Sequence, residues 1–312
     1  MRLLAPAAGL AKAGPRVQAA RAPDAADLND FDVFVFARPM ASPALEEAMA
    51  ACRKAGKRVV VDLDEDFHQL PSDHPQYAAW GPGNPAALQA LEAALAQADV
   101  VTAASSTLAD RYRPFAKRLV VVPGGWQSAN ALWDKPAPGR STVNVGWIGG
   151  KPDLADLNSI SADVMDAVRQ APDVRLVIGG EPAAFSAFDA LPEQRRLFLP
   201  LPLFEDYPYL LAHFDVVLAP MRETRYNQAK SDLKLVEAGV RRIPWVASPT
   251  PAHAEWGVGG LLADKPGEWL QALKKLVNDG ALRQTLGRAG RQKAETRESA
   301  RLAETWQAIL YD

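Results

Sequence analysis

Lys230, Lys234 and Glu237 recur at i, i+4 and i+7 within the stretch 227–239. On a continuous helix this spacing puts all three on one face. Two ammonium groups followed by a carboxylate suit a diphosphate followed by a ribose. The cations hold the charge that develops on a leaving nucleoside diphosphate, and the carboxylate accepts from ribose hydroxyls. The pattern predicts a helix over 230–240 whose cap is Asn227 or Ser231. Either choice puts a lysine in the first turn, where a cation opposes the helix dipole. A bound anion relieves that conflict. The plainer reading is a solvated face of Lys–Glu pairs, and spacing alone leaves it ahead.

Three further groups carry candidate chemistry. Gly149 and Gly150 follow an apolar run and precede a helical pattern, so backbone amides can approach a phosphate, with Lys151 adding a cation; an ordinary tight turn has the same signature. Asp62, Asp64, Glu65 and Asp66 end another apolar run. Clustered carboxylates suit a metal, the orientation of an acceptor hydroxyl or a base, and equally suit caps and loop charges. Asp64 and Asp66 are favoured for catalysis, with His68 and then His74 as weaker base candidates, although a lone histidine is more often structural. Arg222 and Arg225 are within reach of a phosphate if their loop faces the site, and are surface arginines otherwise.

The elements that must position these residues alternate short apolar runs with helical patterns, the signature of a parallel α/β sheet. Strands are expected at 32–36, 58–62, 100–103 and 119–122, with helices at 43–55, 85–97 and 106–113 between them. Ser105 and Ser106 read as helix caps. The segment 123–140, rich in Pro, Gly and Trp, reads as a linker. Strands resume at 143–148, 174–178, 197–199, 216–219 and 244–247, with helices at 155–170, 206–213 and 230–240 and a helical tail over 266–310. The fold class is therefore α/β, with two doubly wound Rossmann-like domains, 1–135 and 141–312. Ligands bind beyond the carboxyl ends of such strands, and two facing domains are expected to share one cleft.

Composition fits that plan. The chain has 312 residues, 48% of them hydrophobic, enough for a sizeable core. A formal charge of −2 argues against a general nucleic-acid binder. The single cysteine, Cys52, excludes an internal disulfide and fits a reducing compartment; it reads as a packed small side chain. No run of eighteen apolar residues is present, so no membrane span is predicted. Residues 2–13 read as a short helix rather than a secretory signal, and the chain is expected in the cytoplasm.

The run N-Q-A-K-S-D-L-K-L-V-E-A-G-V-R-R-I-P-W-V-A-S, 227–248, resembles the donor-site helix of the group 1 glycosyltransferases, glycosyltransferase family four, with Tyr226 and Trp245 replacing a phenylalanine and a valine. The segments 144–157, 98–112 and 53–77 are similar to other stretches of the family, over roughly residues 30–265. The resemblance implies a GT-B fold with an acceptor-side first domain and a donor-binding second domain. It also implies a retaining, hexosyltransferase-like enzyme using a UDP- or GDP-sugar in glycan biosynthesis. Glu237 is then the ribose ligand, with Gly149, Gly150, Lys151, Asn227, Lys230, Ser231 and Lys234 completing the donor site. The acceptor is a glycan, a lipid-linked glycan or a protein. No cofactor beyond the nucleotide sugar and no metal is expected. Two departures stand out. Relatives often carry a second glutamate, separated by seven residues from Glu237's position on its N-terminal side, that faces the transferred sugar, and counting back gives Ala229. Many relatives also open with a strand and a glycine-rich turn, whereas this chain begins after that element at Met1, so the acceptor side is expected to be reduced or completed by another chain. Both departures motivate an alternative, a catalytically silent nucleotide-binding or assembly subunit. A sugar-nucleotide epimerase is a third reading.

Overall fold

A computed structural model describes residues 3–20, 23–24 and 26–311. Met1 and Arg2, where the expected opening of the chain falls, lie outside the described residues. The chain divides into two compact units. The first comprises Met1–Gly124, Thr224–Ser231 and Ser299–Asp312, and the second Gly125–Glu223 and Asp232–Glu298. The expected split near residues 135–141 differs from these units, and residues 125–135 lie in the second. It misassigns the last helix, which belongs to the first unit, and the short excursion over 224–231.

The first unit holds four parallel strands in the order β1 (Val33–Ala37), β2 (Arg58–Leu63), β3 (Val100–Ala103) and β4 (Leu119–Val121). Residues 59–63 are all buried, as expected for a strand covered on both faces. One face packs Phe34, Phe36, Val59, Val61 and Val101 against the intervening helices. The other packs Val60, Val100 and Val122 against Leu10 and against Leu302, Trp306 and Ile309 of the helix Ser299–Tyr311. The helices start where short polar side chains satisfy free amides. Ser42 caps Pro43–Lys54, Asn84 caps Pro85–Gln97 and Ser105 caps Ser106–Tyr112. Ser106 is therefore the first helical residue, not a second cap. Cys52 is fully buried in the core.

The second unit is a six-stranded parallel sheet. Its strands are β5 (Val143–Gly149), β6 (Val174–Gly180), β7 (Arg196–Pro200), β8 (Val216–Ala219), β9 (Trp245–Ala247) and β10 (Gly260–Leu262), in spatial order β10-β9-β8-β5-β6-β7. The winding reverses between β5 and β8. Loops leave in opposite directions there and open a crevice at the carboxyl ends. β10 was not expected. It has three residues, none fully buried, too few for a pattern to register. The expected helix over 155–170 is broken into Leu154–Asn158 and Ser161–Gln170.

The helix after β8 also departs from expectation. It spans only Leu233–Val240, with Asp232 at its N-cap position. A separate single turn covers Arg225–Gln228, capped by Thr224. Leu235, Val236 and Val240 bury one side of the helix in the core, each contributing roughly 1.5–3 kcal/mol. On another side, Gly239 lets it approach the helix Gly280–Ala294 closely: a Cβ there would stand 2.6 Å from the carbonyl oxygen of Gly290. Among the described residues no helix is long and apolar enough to cross a membrane.

Candidate functional site

The second unit carries Gly149, Gly150, Lys151, Lys234 and Glu237 of the donor-site candidates. β5 ends at Gly149, whose Cα faces the ring of Trp147; a Cβ would stand 2.4 Å from that ring. Only glycine lets the strand end pass there. Gly150 follows, its amide donating to Asp153 Oδ2 at 3.2 Å. Lys151 opens the short turn Lys151–Asp153 and is exposed. From the other side of the reversal, β8 delivers Pro220–Arg222. Asp156, 3% exposed, accepts from both the Arg222 amide and its Nε, at 3.1 and 3.2 Å. The amide of Met221 donates to Ser248 Oγ at 2.9 Å, tying this loop to the end of β9.

Lys234 lies in the first turn of Leu233–Val240, with its ammonium 5.8 Å from the centre of the Trp147 ring. That contact joins the helix to β5. One turn later Glu237 is 5% exposed. Its Oε2 accepts from the hydroxyl of Tyr207 at 2.7 Å. Burial pushes the Glu237 carboxyl up to about 7, against the Tyr207 hydrogen bond and the charge of Lys234. A carboxylate so deep in the protein is costly unless paired or bonded, and only one of its oxygens has a protein hydrogen bond among the described residues.

Lys230, Asn227 and Ser231 are placed differently from expectation. Lys230 is not on the helix of Lys234 and Glu237, and neither Asn227 nor Ser231 caps that helix. All three lie in the excursion that belongs to the first unit. Asn227 is buried within the single turn, and Ser231 follows it half-buried. Tyr226 and Ala229 anchor this excursion in the first unit's core, and Ser105 Oγ donates to the Ala229 carbonyl at 2.6 Å. Tertiary burial breaks the helix that the i, i+4, i+7 spacing extends through. The ammonium of Lys230 stands 5.1 Å from the centre of the Tyr226 ring.

The acidic turn after β2 is organised by arginines that the sequence did not single out. Arg38, at the end of β1, adopts a left-handed backbone (φ 54°), a strained state costing about 1–3 kcal/mol. Its guanidinium binds Asp64 at 2.9 Å and reaches Glu65 at 3.5 Å, beside the rings of Phe67 and Trp80. Burial, and then the Asp64 charge, raises the Glu65 carboxyl above its ordinary range, opposed by Arg38 and Lys230. Asp66 is 2% exposed and held by Arg111 and Tyr112. His68 has both ring nitrogens engaged, with Tyr112 at 3.0 Å and Glu92 at 2.8 Å, and stacks on Phe115. Of the three favoured residues, Asp64 is the one left substantially open, its side chain 34% exposed.

Residues 145–279 match the family described as glycosyl transferases group 1. The matched span contains the winding reversal, Lys234, Glu237 and Tyr207. The fold of the whole chain is that of the GT-B glycosyltransferases. HepE of Anabaena, solved with UDP and glucose, aligns with a TM-score of 0.62 at 18% identity, over 92% of this chain and 80% of that one. Sucrose-phosphate synthase of Thermosynechococcus elongatus aligns at 0.62 and 16% identity, over 90% and 73%. A UDP-forming trehalose-phosphate synthase of Burkholderia xenovorans aligns at 0.64 and 14%, over 90% and 74%. No curated protein matches the chain. Tyr207, Trp147 and Arg38 went unnoticed in the sequence. The acidic Glu205-Asp206 pair ahead of Tyr207 was the one local cue, and it reads as a helix start.

Proposed function

We propose that this protein transfers a sugar from a nucleotide-sugar donor, a UDP-sugar in the first instance, to an acceptor hydroxyl with retention at the anomeric carbon. The observation that carries this reading is the buried carboxylate of Glu237, one oxygen bonded by Tyr207, one turn beyond Lys234 at the reversal of a Rossmann-type sheet. Such a group suits a ribose diol, and the adjacent ammonium suits the pyrophosphate. The UDP in the HepE structure and the UDP-forming reaction of the trehalose-phosphate synthase support the choice of nucleotide. In the reaction, the bond from the sugar's anomeric carbon to the β-phosphate oxygen breaks and a bond to the acceptor oxygen forms. The acceptor proton passes to the departing phosphate, whose charge Lys234 stabilises. Gly149 and Gly150 supply close backbone approach and Lys151 a further cation. In the first unit Asp64, oriented by Arg38, is the carboxylate offered to an acceptor hydroxyl.

Titration calorimetry with UDP tests the donor assignment. Lys234→Ala and Glu237→Ala are each expected to weaken binding by about tenfold or more, the scale of a hydrogen bond to a charged group. Unchanged affinity in both variants removes the assignment.

A second reading, a nucleotide-binding subunit without turnover, is favoured by Ala229. This residue is 2% exposed in the first unit's core, at the position where the family resemblance expects a sugar-facing glutamate. UDP binding without hydrolysis or transfer from a panel of UDP- and GDP-sugars decides for it.

A further inference from the structure

We propose that Tyr207 is a positioning residue for ribonucleotide recognition: its hydroxyl fixes Glu237 Oε2, so that Oε1 is presented to the hydroxyls of the ribose. The inference rests on the donor reading above. Tyr207 opens the short helix Tyr207–Leu211, thirty residues before Glu237 in sequence, and its hydroxyl reaches the carboxylate at 2.7 Å. The ring is half-buried while the hydroxyl end sits in the interior beside Glu237. Glu237 is 5% exposed, and its Oε1 has no hydrogen bond among the described residues. Oε1 is not closed off from solvent, so this acceptor is open to a donor from outside the protein. The 2′- and 3′-hydroxyls of a ribonucleoside diphosphate have the required chemistry.

The same bond governs the charge of the acid. Among the described residues, the groups acting on Glu237 are Tyr207 from the helix Tyr207–Leu211 and Lys234 from its own helix. The helix Gly280–Ala294 meets this region at Gly290 and Ala294, which carry no charge. Both acting groups favour the ionised carboxylate against its burial. Removing the phenol therefore leaves Glu237 protonated to higher pH, and a protonated acid is a poorer acceptor for two hydroxyls.

The test measures UDP-glucose and its 2′-deoxyribose analogue by calorimetry from pH 5.5 to 8.5, where the pyrophosphate diester does not titrate. In the unmodified protein, affinity for UDP-glucose is expected to rise as pH passes through about 7. Tyr207→Phe is expected to bind roughly tenfold more weakly at pH 7. Its pH midpoint moves upward, its affinity recovers toward pH 8.5, and its preference for the ribose form over the deoxyribose form narrows. Tyr207→Phe added to Glu237→Gln is expected to cost nothing further, because the two act through one contact. Additive losses, or a loss in Tyr207→Phe with an unmoved pH midpoint, overturn the inference. Failure of the unmodified protein to bind UDP-glucose overturns the UDP-donor reading itself, and is separate from a Tyr207→Phe variant that binds normally.

Discussion

Asp156 Oδ1 accepts two hydrogen bonds from Arg222, one from the backbone amide and one from Nε, and so joins the segment after β5 to the loop after β8. The partners differ in environment: the Asp156 side chain is 5% exposed and that of Arg222 is 40% exposed. Arg222→Ala takes the Nε bond from a carboxylate held in the interior and keeps the amide bond, whereas removing the carboxylate leaves a cation that water can reach. Arg222→Ala is therefore expected to lower stability by about 2 kcal/mol and Asp156→Asn by about 1 kcal/mol or less. Urea unfolding of both variants checks the order, and the reverse order refutes the argument.

Glu237 makes stability depend on pH. Its carboxyl is raised in the folded protein from 4.5 to about 7. The folded state thus binds the proton more tightly than the unfolded chain does. The contribution is fully present below about pH 4.5 and is lost as pH rises through about 7. Its total is of order 3 kcal/mol. Glu237→Gln cannot titrate, so thermal unfolding across pH 4.5–8 is expected to show the unmodified protein losing stability relative to the variant as pH rises. Parallel curves contradict this.

His68 is expected to be structural. With hydrogen bonds to Tyr112 and Glu92 and a ring stacked on Phe115, it has no nitrogen to spare for an acceptor. His68→Ala is expected to cost about 2–3 kcal/mol of stability, through lost packing and lost hydrogen bonds. Sugar transfer per folded molecule should change less than threefold. A loss of turnover by orders of magnitude in a well-folded variant restores the histidine as a base.

Gly239→Ala tests how the Lys234–Glu237 helix is seated. Its Cβ meets the backbone of Gly290 at 2.6 Å and Ala294 Cβ at 3.3 Å. Backbone cannot swing aside as a long side chain can, so a loss of about 1–3 kcal/mol is expected, with weaker UDP binding as the helix shifts. Thermal melts and calorimetry report the two effects separately.

The strands were the most legible part of the chain. Runs such as 58–63 and 143–149 are apolar because helices cover both faces, and the pattern survives without knowledge of neighbours. Glu237 and Lys234 were legible for a similar reason, since a carboxylate and a lysine within one short helix obey local rules. Lys230 was not, because its place is decided by Tyr226 and Ala229 entering a core that the sequence around them does not reveal. Tyr207 and Arg38 meet their partners 30 and 26 residues away, distances over which spacing carries no geometric information. His68 looked reactive by residue type, and only its neighbours show both nitrogens occupied.

The helix Ser299–Tyr311 lies more than 170 residues beyond β4 and yet seals the first sheet. Translation must therefore pass residue 310 before the contacts that cover Val60 and Val100 can all form. The amino-terminal half emerges first and waits for its own lid. A fragment ending at residue 298 would retain every donor-site side chain of the second unit and still expose an apolar sheet face, a template for aggregation rather than a tidy half-enzyme.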